Sequence, residues 1–306
     1  MMPPVNAPSE AATDSCVHAQ QLAHRCREHR HEGVVFRSWG AGPLLLLVHG
    51  GVGSWTHWVR NIAALAHRCT VLALDLPGYG ASVDVPAELS EDGYLDWVAR
   101  AVRSAADGAT VDVAGFSFGG TVAAAVAARL GAQGGRLSMI APGGFGEPVG
   151  RQIPLKPRPK DGADNDALHA VLAFNLGQWM LSAVPQPDDP VVRLHKANLD
   201  RARYDSRRIG WRNTLLADLH QIRSPVQILW GDADRLAHPS VKDRLELCRE
   251  ARPDLGLEIV PDCGHWAQYE RSRRINDWLL AFHADARSRS TPALARHATA
   301  VVDRLP

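Results

Sequence analysis

The chain has little of what marks several protein classes. Its five cysteines, Cys16, Cys26, Cys69, Cys248 and Cys263, are an odd number with no CxxC pairing, so a disulfide framework is not expected and reduced thiols of a cytoplasmic protein are. It lacks long hydrophobic runs. The longest, residues 44–48 and 122–128, are too short to span a bilayer, and the first 16 residues hold no apolar signal-peptide core. Charge of one sign is missing as well. Lys and Arg number 34 against 33 Asp and Glu, a net +1, which offers no field to draw nucleic acid or an anionic membrane surface. No His/Cys group has metal-site spacing, no internal repeat is present, and no cofactor is expected. What remains is ordinary globular composition, 45% hydrophobic and 22% charged over 306 residues, enough for one large domain with an insertion.

The apolar pattern alternates strand with helix. Residues 33–36 and a Gly-Ala-Gly-Pro turn at 40–43 read as an early hairpin. Residues 44–48 form an uninterrupted apolar run, as a strand buried on both faces requires. Further strands are expected at 70–74, 110–114, 137–140, 226–230 and 257–260, with helices at 58–66, 91–106, 121–130, 240–250 and 271–284. This predicts an α/β fold: a mostly parallel twisted sheet with helices on both faces. The alternation breaks at 147–222, where Pro-rich loops and helical pieces at 165–182 and 191–202 suit a helical lid over the strand ends. The boundaries read from the pattern are a flexible segment 1–26, core 27–146, lid 147–222, core 223–286 and a tail 287–306.

Gly115-Phe-Ser117-Phe-Gly119 follows a β-branched strand and opens an Ala-rich helix. That context suits a nucleophile on a tight, strained turn, with glycines admitting neighbouring backbone and helix N–H groups facing developing negative charge. The plainer alternative is a capping serine in a Gly-rich turn. Serine is a poor nucleophile without a base. Most of the fourteen histidines read as solvated, among them His24, His29, His31, His67, His220, His283 and His297. His265 differs, because it follows the last strand in Asp-Cys-Gly-His-Trp, where the chain order Ser, Asp, His places the base. Asp234 in Gly231-Asp-Ala-Asp-Arg235 is the expected orienting acid, with Asp232 the other candidate. The oxyanion donors are expected to be the N–H groups of Phe118 and of Gly51, in the loop after strand 44–48. His49 reads as a structural residue behind that loop. Phe116, Phe118, Trp55, Trp58, Trp266 and Phe145 lie near the site in sequence and suit either an apolar pocket or core packing.

Together HGGVGSWTHW, DLPGYG, GFSFGG, GDADRLAHP and GHWAQYE resemble the α/β-hydrolase superfamily over about residues 30–285. APGGFG at 141–146 and CGHWAQYE at 263–270 resemble the meta-cleavage product hydrolases, which hydrolyse a carbon–carbon bond in vinylogous 1,5-diketones from aromatic ring cleavage. The resemblance implies Ser117, Asp234 and His265 as the triad and Trp266 beside the substrate. That family often has Asn where Phe116 stands, a more glycine-rich oxyanion loop, and a lid arginine for the substrate carboxylate. Arg201 and Arg203 are the candidates for that arginine. The SWTHW and DLPGYG segments look equally like esterases and enol-lactonases. Three functions therefore stand open: C–C hydrolase, carboxylesterase or lactonase, and a ligand receptor on the same fold. The expected partner is a small-molecule substrate, not nucleic acid or membrane. Association into a homo-oligomer is left open.

Overall fold

A computed structural model describes residues 14–159 and 164–283. Eight strands form one sheet: β1 (Arg27–His31), β2 (Val34–Trp39), β3 (Leu44–Val48), β4 (Thr70–Asp75), β5 (Val111–Phe116), β6 (Gly134–Ile140), β7 (Val226–Gly231) and β8 (Gly256–Val260). Their spatial order is β1-β2-β4-β3-β5-β6-β7-β8. β2 runs antiparallel to both β1 and β4, and every other pair is parallel. The expected mostly parallel sheet is therefore present, with the early hairpin at one edge.

The sequence explains the layers. All five residues of β3 and all six of β5 and β7 are buried, as strands covered on both faces must be. The Glu91–Ala106 helix starts at Ser90, whose hydroxyl accepts the Gly93 N–H at 3.1 Å, with Glu91 and Asp92 in the positive first turn. The Phe118–Leu130 helix shows no polar face because it is enclosed. One side meets the sheet, and the helices Glu91–Ala106 and Leu215–Gln221 cover the rest.

Between β6 and β7 the chain forms the helices Asn165–Trp179, Pro190–Leu199, Arg207–Gly210 and Leu215–Gln221. Asp189 caps the second, and Pro190 takes the first helical position, where its missing N–H is no loss. The last helix packs on Phe118–Leu130 and so completes the core layer instead of the lid.

Two expectations are corrected. Residues 1–26 were expected to be flexible throughout, but Ser15–Arg25 is a helix capped by Asp14, whose carboxylate accepts the Cys16 and Val17 N–H groups. Ser15 Oγ lies 2.6 Å from Tyr269 Oη, and the Trp39 indole donates to Leu22 O at 2.9 Å. Only Ala19 and Leu22 of this helix are buried apolar residues, too weak a stripe to read as a period. His283 was expected to be solvated. It is 2% exposed, with Nδ1 2.9 Å from Asp112 Oδ2 and Nε2 2.9 Å from Ser138 Oγ. His297 and the expected tail at 287–306 lie outside the described residues.

Candidate active site

β5 ends in a sharp turn at Ser117, whose φ of 53° and ψ of −122° place a non-glycine residue in a strained region. Such strain is worth on the order of 1–3 kcal/mol and persists only where surroundings enforce it. Here they do. The Ser117 N–H donates to Ile140 O at 2.9 Å, while Ser117 O accepts from Gly120 N at 2.8 Å. The flanking glycines are needed for space. A Cβ at Gly115 would lie 2.4 Å from Gly119 O, and one at Gly119 would lie 2.2 Å from His49 O.

His265 sits between β8 and the Ala267–Glu270 helix. Its Nδ1 lies 2.8 Å from Asp234 Oδ2, and Asp234 Oδ1 accepts the Leu236 N–H at 2.8 Å. Both side chains are buried. His265 Nε2 is also buried and has no hydrogen-bond partner among the described residues. Asp232, the other candidate acid, instead accepts the Cys263 N–H at 3.1 Å, and hydrogen bonds from backbone N–H groups hold its carboxyl below the usual range.

Ser117, Asp234 and His265 line one cavity of about 390 Å³, within the size range of small-molecule sites. Gly51, Phe116 and Phe118 line it too, so those positions converge as expected. Phe116 packs on His265, their ring centroids 5.0 Å apart. Phe145, Trp179, Trp211 and Trp230 make much of the remaining wall aromatic.

The loop bearing Gly51 is held by two buried histidines. His49 Nε2 accepts the Leu76 N–H at 2.9 Å, so its Nδ1–H is the donor to Gly50 O at 2.7 Å. His57 Nδ1 accepts the Gly50 N–H at 3.2 Å. Burial holds both imidazoles below their ordinary pKa, His57 well below, which keeps them neutral acceptors. His49 is thus the structural residue it was expected to be. Asp75 adds a third support, accepting from Trp55 N at 3.0 Å and Ala81 N at 2.9 Å while pairing with Arg37 at 2.9 Å.

Three sequence candidates are placed elsewhere. Arg203 does not reach the cavity. Its guanidinium bonds Asp84, Ser82 O at 2.7 Å and Arg201 O at 3.0 Å, which fixes it to the loop after β4. Arg201 is exposed and does not line the cavity. Trp266 is fully buried under it. Its ring stacks on Tyr269 at 4.4 Å and its indole donates to His57 O at 2.9 Å, so it supports the site without forming its wall.

Sequence reasoning missed Glu270. One carboxylate oxygen accepts the Gly264 N–H at 2.6 Å, and the other accepts Ser182 N at 2.8 Å and Ser182 Oγ at 2.6 Å. This carboxylate ties the loop before His265 to the segment after the Asn165–Trp179 helix. A glutamate five residues after the base was visible, but nothing local in sequence pointed to Ser182.

No helix among the described residues is long and apolar enough to cross a membrane, and none of their His, Cys, Asp and Glu side chains group to hold a metal. Comparison with known proteins gives four findings. Residues 45–278 match the alpha/beta hydrolase family. The chain is 29% identical over 263 residues to the dihydrolipoyllysine-residue acetyltransferase component of the acetoin cleaving system of Pseudomonas putida, a match covering 79% of this chain and 63% of that one, so it spans less than two thirds of that relative. It is 28% identical over 296 residues to a 2-hydroxy-6-oxononadienedioate/2-hydroxy-6-oxononatrienedioate hydrolase of Paraburkholderia phymatum, covering 90% of this chain and 96% of that one. Among solved structures, a membrane phospholipase A described as a bacterial virulence factor superposes with TM-score 0.68 and 26% identity, covering 89% of this chain and 93% of that one.

Proposed function

The chain belongs to the alpha/beta hydrolase family, and from that premise we propose that it is a serine hydrolase in which Ser117 is the nucleophile, His265 the base and Asp234 the orienting acid. One observation carries the reading. His265 is anchored at Nδ1 by Asp234 at 2.8 Å, its Nε2 has no hydrogen-bond partner among the described residues, and it lines the same cavity as Ser117, a serine held at positive φ. A free Nε2 is what a base needs before substrate arrives, since such hydrogen bonds tighten on binding.

In the proposed reaction, Ser117 Oγ adds to the substrate carbonyl carbon while its proton passes to His265 Nε2. Asp234 accepts the Nδ1–H and stabilises the imidazolium. The Gly51 and Phe118 N–H groups receive the oxyanion. Collapse breaks the bond to the leaving group, which takes the proton from His265. Water then attacks the acyl-enzyme carbonyl and gives its proton to His265, and as the intermediate collapses His265 passes that proton to Ser117 Oγ, releasing the acid and the free enzyme.

For the leaving group, the proposal is carbon. It rests on the relative whose name describes a hydroxy-oxo-dienedioate hydrolase and which aligns over almost its whole length. The leaving group is then a dienolate that is protonated at carbon. Ester hydrolysis by the same residues is the second reading. What favours it is Phe116, which packs at 5.0 Å on His265 and makes the surroundings of the base apolar, as a neutral ester needs. Incubating the protein with a coloured ring-cleavage diketone and, separately, with p-nitrophenyl butyrate tests both. Saturable bleaching supports the first. Fast ester turnover without bleaching overturns it in favour of the second. Loss of neither activity in Ser117→Ala would remove the nucleophile assignment.

A further inference from the structure

Two arginines at the cavity of Ser117 are in no ion pair among the described residues. Arg151, in the loop after β6, and Arg244, on the Val241–Ala251 helix, both line the cavity that Ser117 lines. The Arg151 Nη1 donates to Leu236 O at 2.9 Å, and the Arg244 guanidinium lies 4.2 Å from the Phe145 ring centroid. Among the described residues neither is in an ion pair. The third arginine at the cavity, Arg207, is saturated: its Nε and Nη2 reach Asp205 at 2.8 and 2.7 Å. Elsewhere Arg129, Arg203, Arg208 and Arg212 each meet a carboxylate, while Arg60, Arg136 and Arg235 donate to backbone oxygens away from the cavity.

We propose that Arg151 and Arg244 form an anion subsite in the catalytic cavity, and that it takes a substrate carboxylate lying away from the carbonyl that Ser117 attacks. Three features support it. First, both guanidinium groups line one cavity of about 390 Å³, so two like charges share a small volume, an arrangement that is unfavourable until an anion joins them. Secondly, both are half-buried, and desolvation opposes their charge. The nearby anions are already engaged. Asp234, which faces Arg151, holds His265 at 2.8 Å, and Asp243, which faces Arg244, accepts Ser240 Oγ at 2.6 Å. Thirdly, the wall around them is apolar, formed by Phe145, Leu236 and Ala237, so a carboxylate there would be shielded from water and bound by planar, charge-assisted hydrogen bonds. The catalytic side is different in kind: the imidazoles behind Phe116 and Trp179, His57 and His195, are buried and held neutral by burial.

This inference rests on Ser117 as nucleophile, and its test separates the two. The substrates are the p-nitrophenyl monoester of adipic acid and its methyl-capped counterpart, with 4-acetoxybenzoate and its methyl ester as a second pair that puts the carboxylate on the leaving group. The quantity read is the ratio of kcat/KM for free acid to capped ester in wild type, Arg151→Gln, Arg244→Gln and the double variant, each checked by circular dichroism. The proposal expects the ratio to fall at least tenfold in one pair in each single variant and further in the double variant. It also expects 0.5 M NaCl to lower the wild-type ratio. The pair that responds identifies which side of the scissile bond the subsite serves. Unchanged ratios in both pairs overturn the proposal while leaving Ser117 as nucleophile. If no ester is hydrolysed, the Ser117 reading is decided by diketone bleaching in wild type and Ser117→Ala, and quenching of the cavity tryptophans by adipate decides the subsite. Saturable quenching lost in the double variant supports it, and quenching that is absent or unaltered overturns it.

Discussion

Replacing Glu270 tests whether the His265 loop is positioned by a carboxylate. Its two oxygens accept four hydrogen bonds, from Gly264 N at 2.6 Å, Ser182 N at 2.8 Å, Ser182 Oγ at 2.6 Å and, weakly, Cys263 Sγ at 3.9 Å. Glu270→Ala leaves two backbone donors without an acceptor in a region that is largely buried. An unsatisfied buried donor costs about 1–3 kcal/mol, so the loss for both is on the order of 2–5 kcal/mol, less whatever water recovers. Glu270→Gln keeps the volume but offers one acceptor oxygen and points an NH₂ at a donor, so roughly half that loss is expected. Because Gly264 immediately precedes His265, displacing it moves the imidazole relative to Ser117. A misplacement of about 1 Å costs on the order of a hundredfold in rate. Urea unfolding followed by tryptophan fluorescence gives the stability change, and ester hydrolysis gives kcat and KM separately. The reasoning expects kcat to fall with KM little changed, and Gln to lie between Ala and wild type. Unchanged kcat and an unchanged unfolding midpoint in Glu270→Ala would refute it.

Three other outcomes are expected. Asp234→Asn should retain the fold and lower kcat by roughly a thousandfold or more, since Asn favours the wrong imidazole tautomer; an equal loss in Asp232→Asn, measured in the same assay, would count against the assignment. His283→Ala removes the partner of Asp112 and Ser138 and should destabilise the protein by about 1–3 kcal/mol in urea without altering kcat, because the network lies outside the cavity. Burial lowers the pKa of His195 to about 4, below an unfolded value of 6.5. A depressed pKa favours the neutral form in the fold, so its contribution is complete above pH 6.5 and is lost as pH falls toward 4. That amounts to roughly 3 kcal/mol. The slope of unfolding free energy against pH in that window should flatten in His195→Gln, and an unaltered slope would contradict the burial argument.

The fold was legible where burial is symmetric. Runs such as Leu44–Val48 and Val226–Gly231 have no polar alternation because helices cover both faces of the sheet, and that pattern is local. The positions of Ser117, Asp234 and His265 were legible because each follows a strand whose end is marked in the same way. What was not legible depends on distant partners. His283 looked like any exposed histidine, since Asp112 and Ser138 lie 171 and 145 residues away in the chain. Arg203 looked like a lid arginine for substrate, but Asp84 lies 119 residues earlier and holds it. The same comparison explains Arg151 and Arg244, which carry no sequence mark and stand out because they line the cavity without an ion pair among the described residues.

The nucleophile can be tested most directly by treating the protein with a fluorophosphonate and sequencing the modified peptide by mass spectrometry. The account predicts one adduct, on Ser117, absent in Ser117→Ala and formed far more slowly in His265→Ala. Hydrolysis that continues undiminished after labelling, or an adduct on any other residue that abolishes it, would contradict the account.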